Sequence, residues 1–264
     1  MPKSNIIQPQ LNTVFHDAVL KGEIDHFQKR CQIYQLPLHD ALTYSLPNGE
    51  TPLHWCMLKK NIDLLVWFVF ECPYHLNFNV KTVLNETPVH YLSYSKWLEG
   101  LIFLSELGIY SSELAHHFVK TRWHQGLLCL NKYFPHLLIE EDKNDETPLM
   151  VAASLGHLDT IDLLIKYGNI NPKQMNKSGW TAIHIAAREG QFIVANYLNT
   201  FYNLPYTQSP SFKTSPLEVA LHFNQHEFIR QFKIKKQSYY GNKNLKSPLY
   251  ANQNSQNNDK FLKP

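Results

Sequence analysis

The chain has 264 residues, 44% hydrophobic and 18% charged, a composition that excludes wholesale disorder and suits one large domain or two small ones. With 25 Lys and Arg against 22 Asp and Glu, the net +3 is too small for an overall field directed at nucleic acid or an anionic membrane. The charge is uneven: residues 233–264 hold seven Lys and one Asp, so a mildly acidic body ends in a basic tail.

The N-terminus, from Met1 to Gln10, lacks the apolar core of about 7 to 15 residues that a secretory signal needs. The longest apolar run, Ile62 to Phe70, is broken by Asp63 and falls well short of the roughly 20 residues that span a bilayer. Cys31, Cys56, Cys72 and Cys129 form no CxxC pair and read as reduced thiols. An intracellular, cytoplasmic protein is expected.

Along the chain one short pattern recurs. A weak copy, Thr13-Val14-Phe15-His16, is followed by Ala18 and Gly22. Next come Thr51-Pro52-Leu53-His54 and Thr87-Pro88-Val89-His90. Thr147-Pro148-Leu149-Met150, Thr181-Ala182-Ile183-His184 and Ser215-Pro216-Leu217-Glu218 complete the series. Intervals from Thr51 onward are 36, 60, 34 and 34 residues. The long one divides into 26 and 34 about a degenerate helix pair, Ser112 to Lys120 and Gln125 to Tyr133, which lacks the motif. About seven units follow, starting near 13, 51, 87, 112, 147, 181 and 215.

Each motif residue has a physical reason. Thr or Ser is an N-cap whose hydroxyl accepts from free backbone N–H groups, and Pro fits N1, where no N–H is missed. Leu149, Ala152 and Ala153, like Ile183, Ala186 and Ala187, make a stripe small enough for close helix approach. Gly156 and Gly190 end these helices by permitting a left-handed residue. Second amphipathic helices follow over Leu158 to Tyr167, stopped by Gly168, and over Phe192 to Leu198. Two short helices cannot bury their own faces, so such units require stacking.

The units at 147 and 181 resemble the ankyrin repeat family. That resemblance implies an all-α solenoid of about seven stacked helix-turn-helix units over 10–236, some degenerate, the first and last serving as caps. It also implies a non-enzymatic protein–protein interaction module that binds another protein through its concave face, with no cofactor or metal, no small-molecule substrate, and a monomeric state. Family imidazoles at the fourth motif position tie adjacent hairpins together, a role that falls on His16, His54, His90 and His184.

Family contact positions carry over through the motif. Directly before the Thr or Ser stand Glu50, Glu86, Glu146, Trp180 and Thr214. The three glutamates form an acidic ridge for a basic partner, or else solvated charges favoured near helix N-termini. Trp180 is either a binding anchor or folded back on the next unit. Lys59, Leu155, Arg188 and Glu189 on the first helices, with Asn48, Lys143, Asn144 and Lys177 at the tips, complete the contact set. Trp55 is expected partly buried; Trp67, Trp97 and Trp123 are expected in the core.

Two other function classes have a footing. An enzyme site within the irregular units 92–146 would use Cys129 with His116, His117 or His124, although Cys129 between Leu128 and Leu130 reads better as a packed thiol, as does Cys56 in place of the family's Ala. His222 and His226 stand four apart on a helix, with no third metal ligand identifiable. The segment 237–264, rich in Asn and Lys, is expected to be disordered, and its lysines with Tyr239, Tyr240 and Tyr250 would bind nucleic acid or anionic lipid in the second alternative. The Asn, Lys, Ile and Tyr bias, degenerate repeats and polar tail look like ankyrin proteins that intracellular bacteria deliver into host cells, which would make the chain an effector and its partner a host protein.

Overall fold

The computed structural model describes residues 8–72, 76–206 and 214–244. Among them are fifteen α-helices, one 3₁₀ turn and no strand. No helix among the described residues is long and apolar enough to cross a membrane. The chain divides into two compact units, Met1–Ala182 and Ile183–Pro264.

The first unit holds five helix pairs in chain order. They are α1 (Gln8–Lys21) with α2 (Ile24–Tyr34), then, after the single turn α3 (Leu38–Ala41), α4 (Pro52–Lys59) with α5 (Ile62–Glu71). Next are α6 (Pro88–Ser95) with α7 (Leu98–Glu106), α8 (Leu114–Lys120) with α9 (His124–Tyr133), and α10 (Pro148–Ser154) with α11 (Leu158–Lys166). The 3₁₀ turn Pro135–Leu138 follows α9. First helices pack on one another in the order α1, α4, α6, α8, α10, making one layer, and the second helices back them. Beginning with α12 (Ala182–Arg188), the second unit continues through α13 (Phe192–Tyr202), α14 (Pro216–His222) and α15 (His226–Asn244).

Local chemistry sets the helix ends. Thr51, Thr87 and Ser215 sit in extended backbone and close capping boxes with His54, His90 and Glu218, while Pro52, Pro88 and Pro216 hold N1. Gly156 and Gly190 adopt φ of 77° and 72°, the left-handed exits expected of them. Gly168 acts differently from expectation. The left-handed residue after α11 is Asn169, and glycine is needed at 168 because a Cβ there would stand 2.5 Å from the Leu164 carbonyl oxygen.

The core lies between the layers. Phe15, Phe27, Phe68 and Phe118 are fully buried, each worth about 2–3 kcal/mol relative to exposure. Cys56, Ala152, Ala186 and Ala220 fill the tight first-helix positions. Trp97 and Trp123 are buried as expected. They occupy the N-caps of α7 and α9, and Gly100 and Gly126, three residues on, make room: a Cβ would lie 2.4 Å and 2.6 Å from the indoles.

Two boundaries differ from the sequence reading. The helix assigned to the last unit overruns the expected limit at 236 and is described as far as Asn244. The rest of the expected tail, 245–264, lies outside the described residues, and the side chains of Tyr239 and Tyr240 are outside the description as well. In the fourth pair the cap residue of α8 is Glu113, so Glu113-Leu114-Ala115-His116 stands in the motif's place and His116 in its fourth position.

Candidate protein-binding face

Where the motif carries histidine, one imidazole can do two jobs. In the second pair the Thr51 N–H donates to His54 Nδ1 at 3.1 Å, so the ring proton sits on Nε2, which donates to the Glu86 carbonyl at 3.3 Å. His54 thus caps its own helix and ties down the loop that leads into the next. His16 Nε2 reaches the Glu50 carbonyl at 2.9 Å and His116 Nε2 the Glu146 carbonyl at 2.8 Å. The role expected of His16 and His54 therefore holds, and His116 shares it. His90 caps α6 in the same way, yet its ring meets the edge of His117 at 4.7 Å. Burial drives His54 down to about 4 and, with the neighbouring His117, drives His90 down to about 3.

Ahead of four of the caps the chain makes the same turn. Leu46, Thr82, Asp142 and Asn176 donate their N–H groups to the carbonyls of Glu50, Glu86, Glu146 and Trp180 at 2.8–2.9 Å. The left-handed residue each turn requires is Gly49, Asn85, Asp145 or Gly179. Consecutive tips bond to one another: Val83 N–H to the Asn48 carbonyl at 2.9 Å, and Asn176 Nδ2 to the Asp145 carbonyl at 2.8 Å. The 26-residue interval is too short to build this turn ahead of α8.

Where that tip is missing the surface opens. A groove of about 310 Å³ has α6 and α8 as its floor, the tip residues Leu84, Asn85 and Glu86 on one side, and Asp142 and Lys143 on the other. Leu84 is 79% exposed. An acid–aromatic network runs from beside the groove to its lining residues Glu86, Tyr94 and His117. Glu50 accepts from Trp55 Nε1 at 2.8 Å and from the Tyr91 hydroxyl at 2.7 Å. Burial raises its pKa, and the hydrogen bonds from Tyr91, Trp55 and Asn48 more than offset this, leaving it below the usual carboxylate value. Glu86 accepts from the Tyr94 hydroxyl, and burial together with that bond pushes Tyr94 up to about 12. His117 Nδ1 stands 4.0 Å from Glu86, but burial and the neighbouring Lys120 and Lys96 hold His117 at about 4, so it is neutral at pH 7.

The expected acidic ridge does not form. Glu146 is 6% exposed and buried beneath its own turn, while Glu50 and Glu86 are held by aromatic donors. The motif position fixes the backbone of these residues, and the side chain follows whatever donor the next helix offers. Asn48, Lys59, Lys143, Asn144, Leu155 and Lys177 are exposed, as placed. Lys177 pairs with Glu141 at 3.2 Å. Trp180 is half-buried. In the second unit Arg188 Nε lies 2.6 Å from Glu189 Oε1, so these two charges engage each other. Sequence reasoning missed Tyr91 and Tyr94 and named His117 only as a candidate base; the signal at Tyr91 was an aromatic residue at a first-helix position that the well-formed pairs fill with Val151 and Ile185.

The irregular pairs bring together Ser93, His117 and Glu86 in an order that superficially suits acyl transfer. Ser93 is fully buried, and its hydroxyl donates to the His90 carbonyl at 2.8 Å. Its oxygen can therefore only accept from His117 Nε2, 2.8 Å away, the reverse of what a base needs. Cys129 is also buried, its thiol raised by burial and 4.0 Å from the Ser105 hydroxyl.

The family model for ankyrin repeats, in three copies, matches residues 126–208. Two solved structures share the fold. One is a chain from the complex of the predatory endopeptidase Bd0816 of Bdellovibrio bacteriovorus with the immunity protein Bd3460, 20% identical, covering 72% of this chain and 97% of that one, with a TM-score of 0.53. The other is the ankyrin repeat domain of Bcl-3, a member of the IkappaB protein family, 18% identical, covering 82% of this chain and 97% of that one, with a TM-score of 0.59. With matched repeats, capping imidazoles and helix pairs in agreement, residues 126–208 match the ankyrin repeat model and the chain has the ankyrin-repeat fold.

Proposed function

We propose that this chain is a non-enzymatic binding module that holds a partner protein in the groove over α6 and α8, between the third and fifth tips. Ankyrin repeats are a protein-interaction fold, and the observation that carries the reading is the omitted tip, which opens a recess edged by the exposed Leu84 in an otherwise regular row. Exposed apolar side chains beside a concavity are what protein interfaces use as anchors. The buried hydroxyl of Ser93 and the packed thiol of Cys129 support the non-enzymatic part. One relative in fold comes from a protein–protein complex, which agrees with this use of the scaffold. Action as a monomer, and as an effector delivered into a host cell where the partner is a host protein, belongs to the same proposal and rests on composition and the basic tail. The test is a photocrosslinking residue placed at Leu84 or, as a control, at Phe70 on α5. A defined protein should be captured from Leu84 alone; capture only from Phe70 would move the binding surface away from the groove.

A further inference from the structure

The groove's chemistry narrows what the partner presents, given the protein-binding reading above. Four observations bear on it. First, the side chain of Glu86 is 15% exposed, its hydrogen-bond donor is the neutral Tyr94 hydroxyl, and the His117 Nδ1 standing 4.0 Å away carries no proton, because that ring's proton sits on Nε2 toward Ser93. A desolvated carboxylate without a counter-charge is costly, whereas the exposed Lys120 and Lys143 on the same walls are hydrated and need no partner. Second, His116 is 3% exposed, lines the groove, and has no partner at Nδ1. In α4 and α6 the equivalent nitrogen accepts from the Thr cap, and Glu113 has replaced that cap here. Because His116 Nε2 gives its proton to the Glu146 carbonyl, Nδ1 is a bare acceptor that an anion, having no proton to offer, cannot satisfy. Third, Glu113 stands at the groove with a single long contact, Asn85 Nδ2 at 3.5 Å. Fourth, Tyr94 is half exposed and offers a ring on which a planar cation can stack.

We propose that the groove is a guanidinium site: an arginine of an extended segment of the partner lies on Tyr94 and donates to Glu86, Glu113 and His116 Nδ1. Arginine suits it better than lysine because its planar fork presents five donors in several directions and is the more weakly hydrated cation. The competing occupant is an anion held by Lys120 and Lys143.

The experiment titrates the ¹⁵N-labelled full chain with acetyl-Gly-Arg-Gly-amide and, separately, with acetyl-Gly-Glu-Gly-amide. The arginine peptide should produce saturable shifts confined to residues 84–94, 113–121 and 142–143, with a Kd on the order of 1 mM, and the glutamate peptide none. Glu113→Gln and Glu86→Gln should each weaken binding at least about fivefold with the melting temperature unchanged or, for Glu86→Gln, with refolded signals verified outside the groove. The inference is overturned if the arginine peptide leaves these residues unmoved, or if the glutamate peptide moves them instead. Crosslinking from Leu84 that persists in that event would show the protein-binding reading surviving without the arginine.

Discussion

At the scale of single residues, the imidazoles link sequence to stability. His54 closes two bonds that no other side chain of similar size closes at once, accepting from the Thr51 N–H and donating to the Glu86 carbonyl. His54→Leu strands the Thr51 N–H, takes from the Glu86 carbonyl one of its two donors while the Thr82 N–H remains, and should cost about 1–3 kcal/mol. His116→Leu strands neither partner, because the Glu146 carbonyl keeps the Asp142 N–H and the Nδ1 is already unpartnered, and should cost less; thermal unfolding of the two variants checks the ranking. The same burial gives a pH dependence of definite sign. In the unfolded chain these histidines take up protons near 6.5, whereas folded His54 and His117 do so at about 4 and His90 at about 3. Between those values the unfolded state binds more protons, so the stability they contribute, on the order of a few kcal/mol each, is complete above pH 6.5 and lost as the pH falls toward 4, and for His90 toward 3. Melting temperature followed from pH 7 to pH 4 should drop steadily, and a flat profile would show that the rings are not buried neutral.

At the scale of elements, the two irregular pairs are built alike around Trp97 with Gly100 and Trp123 with Gly126. Gly126→Ala would set a Cβ 2.6 Å from the Trp123 ring and 2.8 Å from Phe118, overpacking that should cost about 2 kcal/mol in denaturant unfolding. Gly108→Ala is the contrast, since its Cβ meets nothing within 4 Å and only its φ of 73° opposes the change. Most elements were legible because a cap, a proline and a glycine mark their ends: α4, α6, α10, α12 and α14 all begin at the motif. The fourth pair kept its place but hid its motif, because Glu113-Leu114-Ala115-His116 retains only the histidine. Candidate contacts were read less well for a physical reason. The repeat fixes where Glu50, Glu86 and Glu146 leave the backbone, while their carboxylates go to donors such as Trp55, Tyr91 and Tyr94, or under their own turn, and the motif carries no information about that.

At the scale of the whole chain, a regular array acquires a distinctive surface by leaving something out. An interval of 26 residues in place of 34 or 36 removes one tip, exposes Leu84, and leaves Glu86, Glu113 and His116 around a recess. The most direct measurement is the affinity of the partner crosslinked at Leu84 for three forms of the full chain: intact, Leu84→Ser with Tyr94→Ala, and Phe70→Ser with Tyr167→Ser on the second helices, matched for melting temperature. The account predicts a loss of at least about tenfold for the groove variant and no change for the other. Unchanged affinity in the groove variant, with a loss in the second-helix variant, would contradict it.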